Sequence, residues 1–338
     1  MDQRLVQRAR ELTADVRFRL GRPTSADAAA FTALMNETYL RKLPPAYYNW
    51  QFFDPSAPGS CLFAENDSGV VAVYGLKPTA WLGPKRYRLG LTVDLVIKPS
   101  LCGAGLLLRC ELEMEALARS LGCCLLYASP NDEAYRPYVS MLGWQAAQPF
   151  RFCTIDAQHI RLDRHALPRA AAEAVRDAGP AVETVLAVYR GAHYERLVAQ
   201  RTAEWVGWRF GRNPRYQYRQ LVFTQNHGVV GYAILKIFED PATGVASGDI
   251  VDFMPATNDV VMTADMLGIA CRSLVEDGAD RVSGWLLNDP LVAAASTSCG
   301  FKPSEQVRNA CWKVLEEGAA PADGPDSWFF SMADVELF

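Results

Sequence analysis

The chain reads as an α/β protein built from two tandem copies of one unit, each a mixed, largely antiparallel sheet flanked by helices. Three observations carry that expectation. First, β-rich apolar runs alternate with stretches whose apolar residues recur at helical spacing, the pattern of a layered α/β fold. Second, local patterns recur in one order at a nearly constant offset. Trp50, Gln51 and Phe52 are echoed by Trp208, Arg209 and Phe210, and the run from Gly69 to Leu76 by the run from Gly228 to Leu235. Asn131 and Asp132 are echoed by Asn288 and Asp289, and Gly143 and Trp144 by Gly300 and Phe301. Third, residues 92–107 pass from a β-rich run through Pro99 and a small Gly103-Ala104-Gly105 turn into a helical pattern, which is a strand, a loop and a helix start.

A length of 338 residues suits two domains. The expected division is 1–160 for the first unit, 161–180 for a connector and 181–338 for the second. Half the residues are hydrophobic, enough for real cores. A formal net charge of −4 argues against a nucleic-acid partner, because binding to phosphates needs a clustered basic surface. The nine cysteines form no C-x-x-C pair and suggest neither a disulfide framework nor a zinc site. The arginines near the N-terminus precede no apolar segment, so no secretory signal is read there. No apolar stretch approaches the roughly 18 residues of a membrane span. The expectation is a cytoplasmic protein with no metal and no membrane partner.

Leu5, Val6, Ala9 and Leu12 recur at helical spacing, Val16 to Leu20 alternates as a strand, and Thr24 offers an N-cap to a helix carrying Ala30 and Leu34. Tyr47, Tyr48, Trp50, Phe52 and Phe53 follow between prolines, either as core packing or as the wall of an acceptor pocket. Cys61 to Ala64 and Val70 to Leu76 flank an Asn66 to Gly69 turn and predict a hairpin. Tyr87 to Ile97 is a further strand, 106–120 a helix, 123–127 a buried strand and 131–141 a second helix. Residues 151–155 are expected to finish the first sheet, 170–178 to be helical, and 328–338 to close the second sheet as a packed strand.

A loop such as 98–105 presents consecutive backbone N–H groups at a helix N-terminus, where the macrodipole and the unpaired donors favour a bound phosphate. The same glycines also suit an ordinary tight turn. Other signatures fail. There is no G-x-S-x-G elbow and no G-K-[ST] loop, and His159, His165, His193 and His227 show no metal spacing. Cys102 is either activated by the helix N-terminus or an inert small side chain.

The strand, Pro99, the Cys102 to Gly105 turn and helix, then a strand, Asn131, a helix and Gly143-Trp144 together resemble the acetyl-CoA-binding core of the GCN5-related N-acetyltransferase superfamily. By the family spacing Cys102 stands where a Gln or Arg is usual, Gly105 matches, and Leu107 stands where a small residue is usual. The resemblance covers both halves in outline and is that of a tandem, two-domain member. It implies acetyl-CoA, or another acyl-CoA, as co-substrate and a small-molecule amine, for example an amino sugar, as acceptor. The implied cofactor-binding positions are Leu95, Val96, Ile97, Cys102, Gly103, Ala104, Gly105, Leu106, Leu107 and Asn131. Asp94 is the implied base, or else a structural partner; Tyr138 is the implied acid, with Tyr135 competing. The second copy has no glycine over 255–259 and an added Asp259, so the first copy is the expected site. The alternatives are a transferase for longer acyl chains and a catalytically inactive scaffold of the same fold.

Overall fold

The computed structural model describes residues 3–39, 42–56, 59–103, 105–160, 170–239, 244–321 and 324–335. The first half runs α1 (Gln3–Leu12), β1 (Arg17–Leu20), α2 (Ser25–Thr38), α3 (Ala46–Phe53), β2 (Ser60–Asn66), β3 (Gly69–Leu82), β4 (Arg86–Ile97), α4 (Leu106–Ser120), β5 (Leu125–Ala128), α5 (Asp132–Ser140), β6 (Gln145–Ala146) and β7 (Phe150–Asp156). The second half runs β8 (Ala171–Val175), α6 (Gly179–Ala192), β9 (Val198–Ala199), α7 (Ala203–Val206), β10 (Arg219–Gln225), β11 (Gly228–Glu239), β12 (Ala246–Pro255), α8 (Val260–Glu276), β13 (Arg281–Gly284), α9 (Pro290–Ser298), β14 (Lys302–Arg308) and β15 (Cys311–Val314).

Two sheets result. The first has the order β1-β2-β3-β4-β5-β15-β6, with β9 also pairing β3, and the second has the order β8-β10-β11-β12-β13-β7-β14. Position by position these orders correspond. Within each, the one parallel pairing is central, β4 with β5 and β12 with β13.

Each half gives a strand to the ordered path of the other's sheet, and the second half adds the short β9 beside β3. β7 lies between β13 and β14, with Ile155 opposite Val282, and β15 lies between β5 and β6, with Cys311 opposite Ala128 and Ala146. The expectation that 151–155 finish the first sheet is therefore corrected. Alternation specifies a strand and its faces, but not the ladder it joins. Apolar partners favour the exchange: Phe150 stacks on Trp285 at 4.3 Å and Phe152 meets the same ring edge-on at 5.9 Å.

Two further expectations change. Residues 171–175 form a strand paired with β10, not a helix. Alanine's helix preference is worth a few tenths of a kcal/mol per residue, which a paired ladder outweighs. Residues 161–169 of the expected connector lie outside the described residues, and α6 begins within its end, at Gly179. Residues 328–335 are buried without being a strand. They hold a single bridge, Phe329 to Val198, and a short helical turn at Met332–Asp334 closed by a Ser331–Asp334 capping box.

Three apolar cores organise the packing. One lies under α4, one under α8, and the largest joins the two units. At its centre the repeated tryptophans meet. Trp50 Nε1 donates to the Trp208 carbonyl at 2.9 Å, Trp208 Nε1 donates to the Trp50 carbonyl at 2.8 Å, and the rings stack at 5.0 Å. Both indoles are thereby buried with their N–H groups satisfied.

Because each sheet is completed by the other half, residues 1–160 and 161–338 expressed separately are expected to show no cooperative thermal unfolding by circular dichroism, while the full chain does. A cooperative transition in the isolated first half would contradict this.

Candidate functional site

The parallel ladder between β4 and β5 ends at Leu91 and Tyr127, whereas β4 continues to Ile97. On its other side β4 stays paired to β3, with Val96 opposite Val73 and Ile97 opposite Ala72. The strands β4 and β5 thus part, and the β5-facing edge of Leu95, Val96 and Ile97 has no strand partner among the described residues. A bulge sharpens the divergence: between Val93 and Val96 two residues of β4 oppose Tyr74 alone, and Asp94 takes a left-handed φ of 51°.

Beyond β4 the chain turns through Pro99–Leu101 and reaches α4 by way of Gly103 and Gly105, at φ 85° and 80°. Gly105 is constrained twice. A Cβ there would lie 2.9 Å from the backbone of Ala9, so α1 packs against the loop. Gly105 is also the N-cap of α4, and no side chain caps that helix among the described residues. Cys102 and Gly103 are exposed, Leu106 is buried and Leu107 packs partly into the core under α4. Ala104 lies outside the described residues. Sequence reasoning missed Lys98 and Arg109, the cations flanking the loop, because neither stands at a family motif position. Arg109 reaches Thr13 Oγ1 at 3.2 Å and sits 5.1 Å over the Phe18 ring.

Asn131 is exposed and caps α5, its Oδ1 accepting from the Ala134 amide at 2.9 Å. Tyr138 is buried in a polar chain. Its hydroxyl lies 2.8 Å from that of Tyr74, which donates to Glu111 at 3.3 Å, and Glu111 also accepts from Trp144 Nε1 at 2.5 Å. Lys313, carried in on the exchanged β15, completes the set at 3.4 Å from Glu111. Burial pushes the Tyr138 phenol up, with the Glu111 charge adding to the rise, so the hydroxyl stays protonated. Asp94 belongs elsewhere: its carboxylate accepts from Gln51 of α3, on the face of the sheet that packs against the second unit. Asp94 thus meets Gln51 of α3, whereas Tyr138 is bonded to Tyr74 in the core under α4.

A cleft of about 590 Å³ lies between the units. Its walls include Leu91 and Tyr127, where the ladder ends, together with Lys77, Trp208, Arg209 and Asp334. The cleft therefore opens onto the gap between β4 and β5.

The equivalent gap in the second unit is closed. The β12–β13 ladder ends at Ile250 and Gly284, and the C-terminal segment packs beyond it. Only about 10 Å³ remains, lined by Ile250, Phe253, Trp285, Phe330 and Met332 among others. Asp259 caps α8, accepting from the Val261 and Met262 amides at 2.8 and 3.2 Å. The donors that are open in α4 are thus already used in α8.

A buried ion cluster anchors the plug. Arg201, with its side chain fully buried, donates to Asp252 and to Asp334, each at 2.8 Å, and Tyr232 donates to Asp252 at 2.9 Å. By the repeat offset Asp252 occupies the place of Asp94. Removing one member of such a cluster typically costs about 3–5 kcal/mol, because a buried charge is left uncompensated.

No protein-family model matches the chain, and no curated protein matches it. Solved structures do. A probable N-acyltransferase from Enterococcus faecalis V583 is 15% identical with a TM-score of 0.64, over 90% of this chain and 74% of that one. A GCN5-related N-acetyltransferase from Anabaena variabilis is 12% identical with a TM-score of 0.65, over the same shares. The Saccharomyces cerevisiae N-myristoyltransferase with bound myristoyl-CoA is 12% identical with a TM-score of 0.62, over 96% of this chain and 85% of that one.

Tyr138→Phe is expected to lower stability by about 1–2 kcal/mol, since it breaks a buried hydrogen bond in a satisfied network. Urea unfolding measures this, and an unchanged midpoint would contradict the network. From its sheets, its loop and these neighbours, the chain has the fold of the GCN5-related N-acetyltransferases.

Proposed function

We propose that the protein is an acyl-CoA-dependent N-acyltransferase that holds its acyl-CoA on the first unit and receives a small-molecule amine in the cleft between the units. The observation that carries this reading is the difference between two equivalent gaps. The one beside β4 is open and led by an uncapped glycine turn, and the one beside β12 is filled by the protein's own chain. The fold shared with a myristoyl-CoA-bound transferase supports a CoA thioester as donor.

The residues present fit that ligand. Backbone groups of Leu95, Val96 and Ile97 would pair with the amides of the pantetheine arm, as a missing strand would. The amides of Gly105, Leu106 and Leu107 would meet the pyrophosphate, with Cys102 and Gly103 in the turn and Lys98 and Arg109 as the neighbouring cations. A side chain at Gly105 would fill the space that Ala9 already occupies. Leu107 turns partly into the core, which leaves its backbone free for this role. Asn131 would hold α5 in place and not touch the ligand.

Acyl-CoA supplies an activated carbonyl carbon and a good leaving thiolate. The protein's part is to orient that carbon at the mouth of the cleft and to exclude water. Asp94 fixes the bulge that parts the strands, and Tyr138 fixes α5 against the sheet; both act by positioning. Acetyl is the acyl group proposed first, and an amino sugar or another small amine is the acceptor class.

Acetyl-CoA at about a hundred times its dissociation constant is expected to stabilise the chain by roughly 2.7 kcal/mol in a thermal melt. Cys102→Glu places a carboxylate at the exposed loop and is expected to weaken binding about tenfold, whereas Ala256→Glu, in the loop between β12 and α8 of the second unit, leaves it unchanged. No shift with any acyl-CoA, or equal weakening by both substitutions, would contradict the proposal.

A further inference from the structure

Asp334 stands apart from the other carboxylates of the ion cluster. It reaches the cleft from the C-terminal segment after that segment has crossed the closed gap of the second unit, and it lines the cleft wall. The residue is 5% exposed. Oδ2 is fully engaged: Arg201 Nη2 and the Ser331 amide donate to it, each at 2.8 Å. Oδ1 is buried and has no hydrogen-bond partner among the described residues. A buried carboxylate oxygen with no donor is unfavourable unless a ligand or a proton satisfies it. The position of Asp334 relative to the donor is also set. Tyr127, the residue at which the β4–β5 ladder ends, donates its hydroxyl to the Asp334 carbonyl at 3.2 Å. Asp334 therefore sits beside the mouth of the gap proposed for the thioester.

We infer that Asp334 is a catalytic residue: its Oδ1 receives the ammonium group of the acceptor and takes one proton from it. The inference rests on the acyltransferase reading above. In the step, R–NH3⁺ gives a proton to the Asp334 carboxylate and becomes R–NH2. The nitrogen lone pair forms the C–N bond to the thioester carbonyl carbon, and the C–S bond breaks with its electron pair leaving on sulfur. The nitrogen's second proton goes to the thiolate, giving free CoA thiol, and the proton on Asp334 returns to solvent. The products are an amide, CoA thiol and one proton, so atoms and charge balance.

The groups facing Asp334 are Arg201, Asp252 on β12, Tyr232 on β11, Tyr127 on β5, and Arg209, whose Nη2 donates to the Val335 carbonyl at 2.9 Å. Burial pushes the carboxyl above its ordinary value, Arg201 opposes the rise, Asp252 adds to it and the Ser331 amide opposes it. A base held above the usual carboxylate range is better matched to an ammonium proton than an exposed carboxylate. Deprotonation on raising the pH switches the base on, so turnover carries an acid limb. Neutralising Asp252 removes a charge that raises the Asp334 carboxyl and must move that limb to lower pH.

The experiment measures CoA thiol release from acetyl-CoA across pH with ethylamine, ethanolamine, glycine, glucosamine and spermidine as probe amines, using the full chain. Wild type is expected to turn over at least one of them with an acid limb. Asp334→Asn keeps the acetyl-CoA thermal shift, loses about a hundredfold or more in kcat/KM and loses the limb. Asp252→Asn loses stability and moves the limb to lower pH, whatever the height of its plateau. Wild-type turnover and limb in Asp334→Asn would overturn the inference. Should Asp334→Asn fail to fold, an unmoved limb in Asp252→Asn overturns it and a lowered limb supports it. An acetyl-CoA shift without turnover of any probe amine overturns the inference alone, and the absence of any acyl-CoA shift overturns the acyltransferase reading with it.

Discussion

The buried guanidinium of Arg201, held between Asp252 and Asp334, is the interaction on which the asymmetry of the molecule depends. Two units with corresponding strand order each part their central parallel strands. Left alone, both gaps would expose backbone donors and acceptors that need partners. In the second unit the C-terminal segment enters the gap, and its Asp334 is drawn to Arg201 and Asp252. Such a cluster adds little net stability over apolar packing of similar volume, but it specifies one position for the segment, since any slippage would leave a charge buried and unpaired. Trp328 and Phe330 complete the seal against Trp81 and Tyr127.

The plug has two consequences. It removes the second gap as a binding place, and it delivers a carboxylate to the cleft that serves the first. The equivalent acid in the first unit, Asp94, meets an uncharged partner, Gln51, where the repeat offset places Arg209 in the second unit. One repeat has thus kept an open edge, and the other has become a charged wall. The reciprocal strand exchange holds the two halves in this relation, and Lys313 shows how deeply: a residue of the second half sits at 3.4 Å and 2.5 Å from Glu111 and Glu115 of the first.

Much of the fold was legible because local pattern and final structure agree. The hairpin turn after Asn66, the Thr24 cap and the stripe of α4 are short-range features, and each forms where its residues point. The repeat offsets anticipated the pairing of Trp50 with Trp208 without revealing that these residues touch. What remained hidden is long-range. Nothing local in Phe150 to Ile155 distinguishes a strand of the first sheet from one lent to the second. Ala171, Ala172 and Ala174 follow an edge ladder against their own preference. The closing aromatic stretch reads as a strand because a buried apolar run looks the same whether it joins a ladder or fills a gap. The candidate site divided in the same way. The loop was visible as motif and spacing and the role of β4's edge was implied by the family resemblance, while Asp334 lies 240 residues after Asp94 in the chain and shows no signal until the fold places it in the cleft.

The central claim is that one gap binds acyl-CoA and the other is occupied by the protein itself. Amide hydrogen exchange with and without acetyl-CoA tests it directly, because a ligand that pairs with backbone groups slows their exchange locally. The account predicts new protection at residues 95–97 and 105–109 and none at 253–262. Protection over 253–262, or equal protection in both units, would contradict it.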